Sequence, residues 1–409
     1  MRTLKYQSVY DADTSIDELA LLSKTAGAAV CKKFVAHISK INPKTFIGEG
    51  KVTEVKEYIE TLEEKDKPDV VIFDEELTGM QFRNLEELFG IPVIDRTQLI
   101  LDIFAMRAKT QEAMLEVELA QLEYLLPRLI GMGKILSRLG GGIGTRGPGE
   151  TKLEADRRKI RAKISRIKKD LEETKKDRTL HRSLRSEFPY PQVSLVGYTN
   201  AGKSTLLNAM AHSEVYVKDQ LFSTLTTTTK KVKLPGSALE VLVTDTVGFI
   251  NKIPHKLVMS FRATLEETVH ADLLLHVVDG SNPEHREQIE AVNIVLKEIE
   301  CHEKPVVLVF NKTDKGCLVN PDDFKDIACV AISAKDKTNF NGLHKIIEDH
   351  FTPFIEEYEL CIPCSDGKTI SFIKGYSRVL EEIPSDESIR FKIRMYKRHK
   401  NLIEKYLIA

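Results

Sequence analysis

Gln192-Val193-Ser194-Leu195-Val196-Gly197-Tyr198-Thr199-Asn200-Ala201-Gly202-Lys203-Ser204-Thr205 decides how this chain is read. An apolar strand runs straight into G-x-x-x-x-G-K-S, and a periodic helix, Thr205 to Met210, follows at once. In that context the glycines let successive backbone N–H groups converge on phosphate oxygens, and the helix N-terminus adds its positive end at the same point. Lys203 is expected to reach the β- and γ-phosphates, and Ser204 to ligate Mg²⁺.

Three further segments extend the site to the metal, the γ-phosphate and the base. Leu239 to Thr244 reads as a strand ending in Asp245-Thr246-Val247-Gly248, a D-x-x-G in which Asp245 can hold Mg²⁺ through a water and the Gly248 N–H can meet a γ-phosphate. The apolar run Pro305 to Phe310 ends in Asn311-Lys312-Thr313-Asp314. A carboxylate there accepts two hydrogen bonds from guanine N1 and N2, which adenine cannot donate. After Ile327 to Ile332 comes Ser333-Ala334-Lys335, where a backbone N–H can meet guanine O6. All four elements fall at carboxyl ends of expected strands, where open α/β sheets bind ligands.

Between the phosphate loop and D-x-x-G lies Leu221-Phe222-Ser223-Thr224-Leu225-Thr226-Thr227-Thr228-Thr229, the interval that holds the first switch in GTPases. Its metal-ligating threonine is assigned to Thr224, with Thr226 to Thr229 as near alternatives. The expected GTP site thus comprises Gly197, Tyr198, Thr199, Asn200, Ala201, Gly202, Lys203, Ser204 and Thr205. To these are added Phe222, Ser223, Thr224, Leu225, Thr226, Asp245, Thr246, Val247, Gly248, Asn311, Lys312, Thr313, Asp314, Ser333, Ala334 and Lys335. Lys203, Thr224 and Gly248 are the expected catalytic groups, and Ser204 and Thr224 the metal ligands. The residue after Gly248 is Phe249, where Ras-like enzymes place a water-orienting glutamine, so GTP hydrolysis by the isolated protein is expected to be slow.

Outward from this core, the 409 residues suggest several domains. Residues 1–105 alternate helical and strand-like patterns, with strands expected at Ala28 to Val35, Pro68 to Phe73 and Pro92 to Ile94, as in a small α/β domain. Its loop Gly48-Glu49-Gly50-Lys51 reads either as a phosphate contact or as a plain turn before a helix. Residues 106–187 read as a helical hairpin: Leu101 to Ile130 is strongly helical, Gly140 to Gly149 is too glycine-rich for a helix, and a second helix runs from Thr151 to Arg178. Residues 190–352, after a proline hinge at Pro189 and Pro191, form the GTP-binding domain, and 353–409 a small C-terminal α+β domain.

The chain carries 60 Lys+Arg against 61 Asp+Glu, but the balance is local. Lys152 to Arg185 holds 14 Lys/Arg against 6 Asp/Glu, interleaved with an apolar stripe from Leu153 to Leu171. A solvated coiled-coil face is one reading; an anionic partner, RNA, is the other, with Arg157, Arg158, Arg161 and Lys168 as candidate contacts. Cys361-x-x-Cys364 is half a zinc site at best. No apolar run is long enough for a membrane helix, and six cysteines in such a chain suit a reducing cytoplasm.

Taken together, the chain resembles the HflX family of ribosome-associated GTPases, in the Obg-HflX group of the TRAFAC P-loop GTPases. The resemblance rests on Phe46-Ile47-Gly48-Glu49-Gly50-Lys51, Asp95-Arg96-Thr97, Gln111 to Leu122, Leu126-Pro127-Arg128-Leu129, Gly147 to Glu154, the phosphate loop and Asp245 to Ile250. It implies a GTPase stimulated by the ribosome, and the chain is expected to be cytoplasmic and a monomer. Its partner would be the large (50S) subunit, with the N-terminal domain and hairpin directed toward rRNA and Gly140 to Gly149 at the inserted tip. Its task would lie in ribosome splitting or rescue, recycling or biogenesis. An alternative is ATP-dependent rRNA remodelling by the N-terminal domain, with the GTPase domain as gate.

Overall fold

A computed structural model describes residues 12–129, 152–186, 190–211, 227–234, 240–252, 262–324 and 327–408. The chain gathers into two compact units, one formed mainly by residues up to Thr174 and the other mainly from Lys175 onward.

The first unit is small and mostly helical. It contains α1 (Ala12–Thr25), α2 (Glu49–Thr61), β1 (Val71–Phe73), α3 (Gly79–Phe89), β2 (Val93–Asp95), α4 (Arg96–Arg107) and α5 (Gln111–Leu125). It also holds the first part of α6 (Lys152–Ser186). β1 and β2 pair in parallel, Val71 opposite Val93, and α2 and α3 bury Val52, Val55, Ile59, Phe82, Leu85 and Phe89 in one cluster with them. Thr78 and Gln81 form a reciprocal capping box that starts α3. Fully buried Asp95 caps α4 through the Gln98 N–H and accepts the Leu77 N–H as well. Beside it, buried Arg96 pairs with Asp74 at 2.7 Å and with Glu18.

Two expectations fail here. Ala28 to Val35 is not a strand: the stretch is irregular, and its Phe34 packs on the cluster around Phe82 rather than pairing with β1 or β2. Leu101 to Ile130 is not one helix either. It breaks at Ala108–Thr110, where the Thr110 hydroxyl accepts the Ala113 N–H at 3.2 Å and so starts α5 afresh.

The second unit is built on six strands: β3 (Gln192–Gly197), β4 (Thr228–Lys233), β5 (Glu240–Asp245), β6 (Leu273–Asp279), β7 (Val306–Asn311) and β8 (Cys329–Ala331). They lie in the order β4-β5-β3-β6-β7-β8, all parallel except β4. Central strands of such sheets are covered on both sides, which is why β3 and β6 read as nearly unbroken apolar runs. On one face Leu195, Leu275, Val277 and Val309 pack against α7 (Lys203–Met210), through Leu206 and Leu207, and against α10 (Phe340–Phe351), through Leu343 and Ile347. The other face carries α8 (Arg262–His270) and α9 (His285–Glu298), the latter packing Ile289 on Val278, Leu308 and Phe310.

The chain then forms β9 (Ile355–Pro363), α11 (Gly367–Tyr376), β10 (Arg378–Pro384), β11 (Ser388–Tyr396) and the short α12 (Lys400–Ile403). The antiparallel order is β10-β11-β9, and Leu360, Ile362, Ile373, Phe391 and Ile393 make the core. The result is an α/β P-loop domain with a small C-terminal α+β domain, as the sequence suggested. No helix among the described residues is long and apolar enough to cross a membrane.

Candidate nucleotide site

β3 delivers Gly197 to the carboxyl edge of the sheet. A Cβ there would strike the Val277 carbonyl of β6, and one on Gly202, at φ 95°, would strike Asn311 Nδ2. Both positions therefore require glycine. Asn200 also takes a left-handed backbone, at φ 61°, and Ala201 is buried beneath the loop.

Lys203 opens α7, followed by Ser204 and Thr205. Its Nζ donates to the carbonyls of Gly197 at 3.0 Å and Tyr198 at 2.9 Å, so the ammonium lies folded within the loop. Burial pushes its pKa down to about 8, against the favourable pull of Asp245. Such a cation gains from a phosphate anion, which restores the preference for the charged form. Ser204 Oγ donates to Asp245 Oδ2 at 2.5 Å. A hydroxyl and a carboxylate in contact at the loop are hard oxygen donors of the kind Mg²⁺ prefers, so the residues fit that ion.

D-x-x-G is stitched directly to the phosphate loop. Thr199 N–H donates to Phe249 O at 2.6 Å, Phe249 N–H donates to Gly197 O at 3.1 Å, and Asn251 N–H donates to the Tyr198 hydroxyl at 2.7 Å. Thr246 donates to Leu195 O at 2.6 Å, and Val247 is buried. Gly248 lies so close that a Cβ would sit 2.8 Å from Thr199 Cγ2 and 3.1 Å from Lys203 Nζ. Phe249 itself is buried, 4% exposed, so its ring fills the domain interior.

Asn311 joins three loops. Its Nδ2 donates to Ala201 O and its Oδ1 accepts the Ala334 N–H, both at 2.9 Å. Lys312, left-handed at φ 67°, pairs with Asp279 at 2.8 Å, and Thr313 N–H donates to Ile332 O at 3.2 Å. Ser333 Oγ donates to Asp314 Oδ1 at 2.7 Å, and this bond holds the Asp314 carboxyl below its usual range. Lys335 is exposed beyond them. The described members of the expected set thus converge on one edge. Asp279, Asn251 and the Ser333-bonded Thr338 were not anticipated, though an aspartate ending an apolar strand was a signal for the first.

Phe222, Ser223, Thr224, Leu225 and Thr226 lie outside the described residues. Of the alternatives to Thr224, Thr228 and Thr229 belong to β4, and the Thr229 hydroxyl is 2.9 Å from that of Thr244, a bond that places it in the sheet.

The basic helix α6 turns Ile167 inward, with Ile160 and Ile164 half-buried. Lys163 pairs with Glu118 of α5, and Lys168 with Glu123 at 2.7 Å, so Lys168 is engaged in holding the two helices together. Arg157 is half-buried, whereas Arg158, Lys159, Arg161, Arg166 and Lys169 are exposed. The loop Gly140 to Gly149 lies outside the described residues.

Gly48 is the N-cap of α2, and Lys51, in its first turn, pairs with Glu54 at 2.7 Å, the arrangement of a plain helix start. Cys361 contacts Ser388, and Cys364 the Ser385 carbonyl; no cluster suited to a metal is found among the described residues.

A mostly parallel sheet carrying a phosphate loop, D-x-x-G and N-K-x-D at one edge defines a P-loop GTPase. Family models agree: residues 13–105 match "GTP-binding GTPase N-terminal", 107–185 "GTP-binding GTPase Middle Region" and 192–312 "50S ribosome-binding GTPase". GTPase HflX of Caldanaerobacter subterraneus subsp. tengcongensis is 45% identical over 397 residues, 97% of this chain and 91% of that protein. GTPase HflX of Escherichia coli K12 is 41% identical over 385 residues, 93% of this chain and 89% of its own. A GTP-binding protein of Sulfolobus solfataricus solved with GDP is 25% identical at a TM-score of 0.44, covering 84% of this chain and 97% of that one. The chain belongs to the HflX family and is a GTPase.

Proposed function

We propose that GTP lies across the carboxyl edge of the second unit's sheet, and that its hydrolysis switches the protein's association with the large ribosomal subunit. In this reading the loop from Gly197 to Thr205 cradles the phosphates and Lys203 meets the β- and γ-phosphates. Gly248 N–H senses the γ-phosphate, and Asp314 reads guanine N1 and N2. The Ser333 bond keeps Asp314 ionised and aimed. Mg²⁺ would be held by Ser204, with Thr224 as second protein ligand and Asp245 through water; when bound it neutralises charge on the β- and γ-phosphate oxygens. The backbone bonds of Phe249 to Thr199 and Gly197 tie D-x-x-G to the phosphate loop. With a buried phenylalanine after Gly248, no side chain there orients water, and turnover without a partner is slow.

One observation carries the ribosomal part: α6 turns Lys159, Arg161, Arg166 and Lys169 outward while Lys163 and Lys168 are matched by α5. A surplus of exposed cations along one long helix suits the phosphate backbone of rRNA. The "50S ribosome-binding GTPase" family match and the HflX relatives support the same partner. A cytoplasmic monomer acting in ribosome splitting, rescue, recycling or biogenesis is consistent with this reading. Co-sedimentation with purified 50S and 30S subunits, in GDP and in a non-hydrolysable GTP analogue, tests it. Pelleting with 50S that depends on the GTP analogue is expected; equal pelleting with both subunits in both nucleotides would refute it.

A further inference from the structure

β6 and β7 end side by side, Asp279 opposite Asn311, so the carboxylate that closes β6 stands beside the start of N-K-x-D. Both of its oxygens are engaged. Oδ1 accepts the Ser281 hydroxyl at 2.6 Å and the Ser281 N–H at 3.1 Å, and Oδ2 accepts the Lys312 ammonium at 2.8 Å. The Gly280 N–H donates to the Asn311 carbonyl, and the Leu318 N–H to the Gly280 carbonyl, both at 2.8 Å. The turn after β6 is thus tied to the chain before and after Lys312. The two side chains are only 17% and 18% exposed, unlike the open surface pairs that contribute little. A free lysine has more rotamer freedom to lose on ordering than almost any other side chain. Here that loss is met in folding, before a ligand arrives. The pairing also decides what Lys312 can offer. With its ammonium taken by Asp279, the lysine keeps a four-carbon apolar stem for whatever lies beside Asp314, two residues on.

We propose that Asp279 is a positioning residue of the guanine site: it anchors Lys312 so that the lysine's methylene stem, not its charge, supports the purine ring. The inference deepens the reading of Asp314 as the group that meets the guanine edge, and it rests on that reading. A stem acts on the face of the ring, which guanine and hypoxanthine share. Asp314 acts on the edge, where only guanine carries the 2-amino group. The two roles therefore separate by base analogue: loss of the anchor weakens both bases alike, whereas loss of the edge carboxylate weakens guanine more.

Competition titrations of GDP and of inosine diphosphate against a fluorescent guanine nucleotide test it on the full chain, with Asp314→Asn as control. Asp279→Ala is expected to weaken both ligands by the same factor, about fivefold to tenfold, and to leave their ratio within about twofold of the parent's. Lys312→Met has an unbranched apolar chain with no charge to place, so it should bind both within about threefold of the parent. In that background Asp279→Ala should cost less than about twofold more. An aspartate that served only to hold the turn through Ser281 would cost as much in either background. Asp279→Ala without loss, a shifted ratio of the two ligands, or an undiminished loss beside Lys312→Met would overturn the proposal. If Asp279→Ala does not fold, Asp279→Asn, which keeps an acceptor for Ser281 and removes the charge pair, carries the same comparison. GDP affinity unchanged in Asp314→Asn would sink the guanine reading itself. A loss in Asp314→Asn beside a silent Asp279→Ala would sink only the role of Asp279.

Discussion

The Asn311 carboxamide donates to the Ala201 carbonyl at 2.9 Å, joining the base-reading loop to the phosphate loop although 110 positions separate them in the chain. Its oxygen at the same time accepts the Ala334 N–H. One side chain thereby ties the loops that begin at Gly197, Asn311 and Ser333 to one another.

Asn311→Ala should leave two buried backbone groups unmatched. We expect a loss of about 1–3 kcal/mol in urea unfolding and at least tenfold weaker GTP and GDP binding. Binding within twofold of the parent would mean that the three loops are held together by other contacts.

Lys203 gives nucleotide affinity a pH dependence. Its pKa of about 8 in the free protein lies below the ordinary 10.5, and phosphate raises it again. Binding therefore takes up protons above pH 8, and affinity falls as pH rises beyond that value. In the free fold the sign reverses: between about pH 8 and 10.5 the unfolded chain binds more protons, so the penalty that this buried ammonium places on folding is relieved as pH rises. Calorimetric titrations in buffers of different ionisation enthalpy should report the proton uptake, and Lys203→Ala should abolish it.

Much of this site was legible because its information is local. Gly197, Gly202 and Lys203 sit at fixed spacing after an apolar strand, and D-x-x-G and N-K-x-D end strands of the same kind. The bonds from Asn311 to Ala201, and from Lys312 to Asp279, were not legible, since strand order rather than sequence distance brings those residues together. Charge counting marked α6 correctly as basic but could not see Glu118 and Glu123 on α5, which engage Lys163 and Lys168. Periodicity likewise ran α4 into α5, because leucines recur across a break set by a single hydroxyl on Thr110.

In the proposed site, Asp314 is the group that chooses the base. Asp314→Asn should lower GTP affinity on the order of a hundredfold while leaving ATP binding undetectable, measured by competition against a fluorescent guanine nucleotide. Unchanged GTP affinity would remove the base assignment.

Exposed and engaged cations of α6 should behave differently. Replacing Lys159, Arg161, Arg166 and Lys169 with glutamine is expected to weaken 50S binding and to reduce its log–log salt slope by about 3. Replacing Lys163 and Lys168 should chiefly loosen α6 from α5, by about 0.2–1 kcal/mol per pair, with a smaller change in slope. Identical slopes in all three proteins would leave α6 as a solvated face.

The most direct test is the rate of GTP turnover against added 50S, 30S and 70S particles, with Asp314→Asn as control. Slow basal hydrolysis that rises at least tenfold with particles containing the large subunit, stays flat with 30S and vanishes in the control is the expected result. A rate indifferent to every particle, or raised equally by 30S alone, would contradict it.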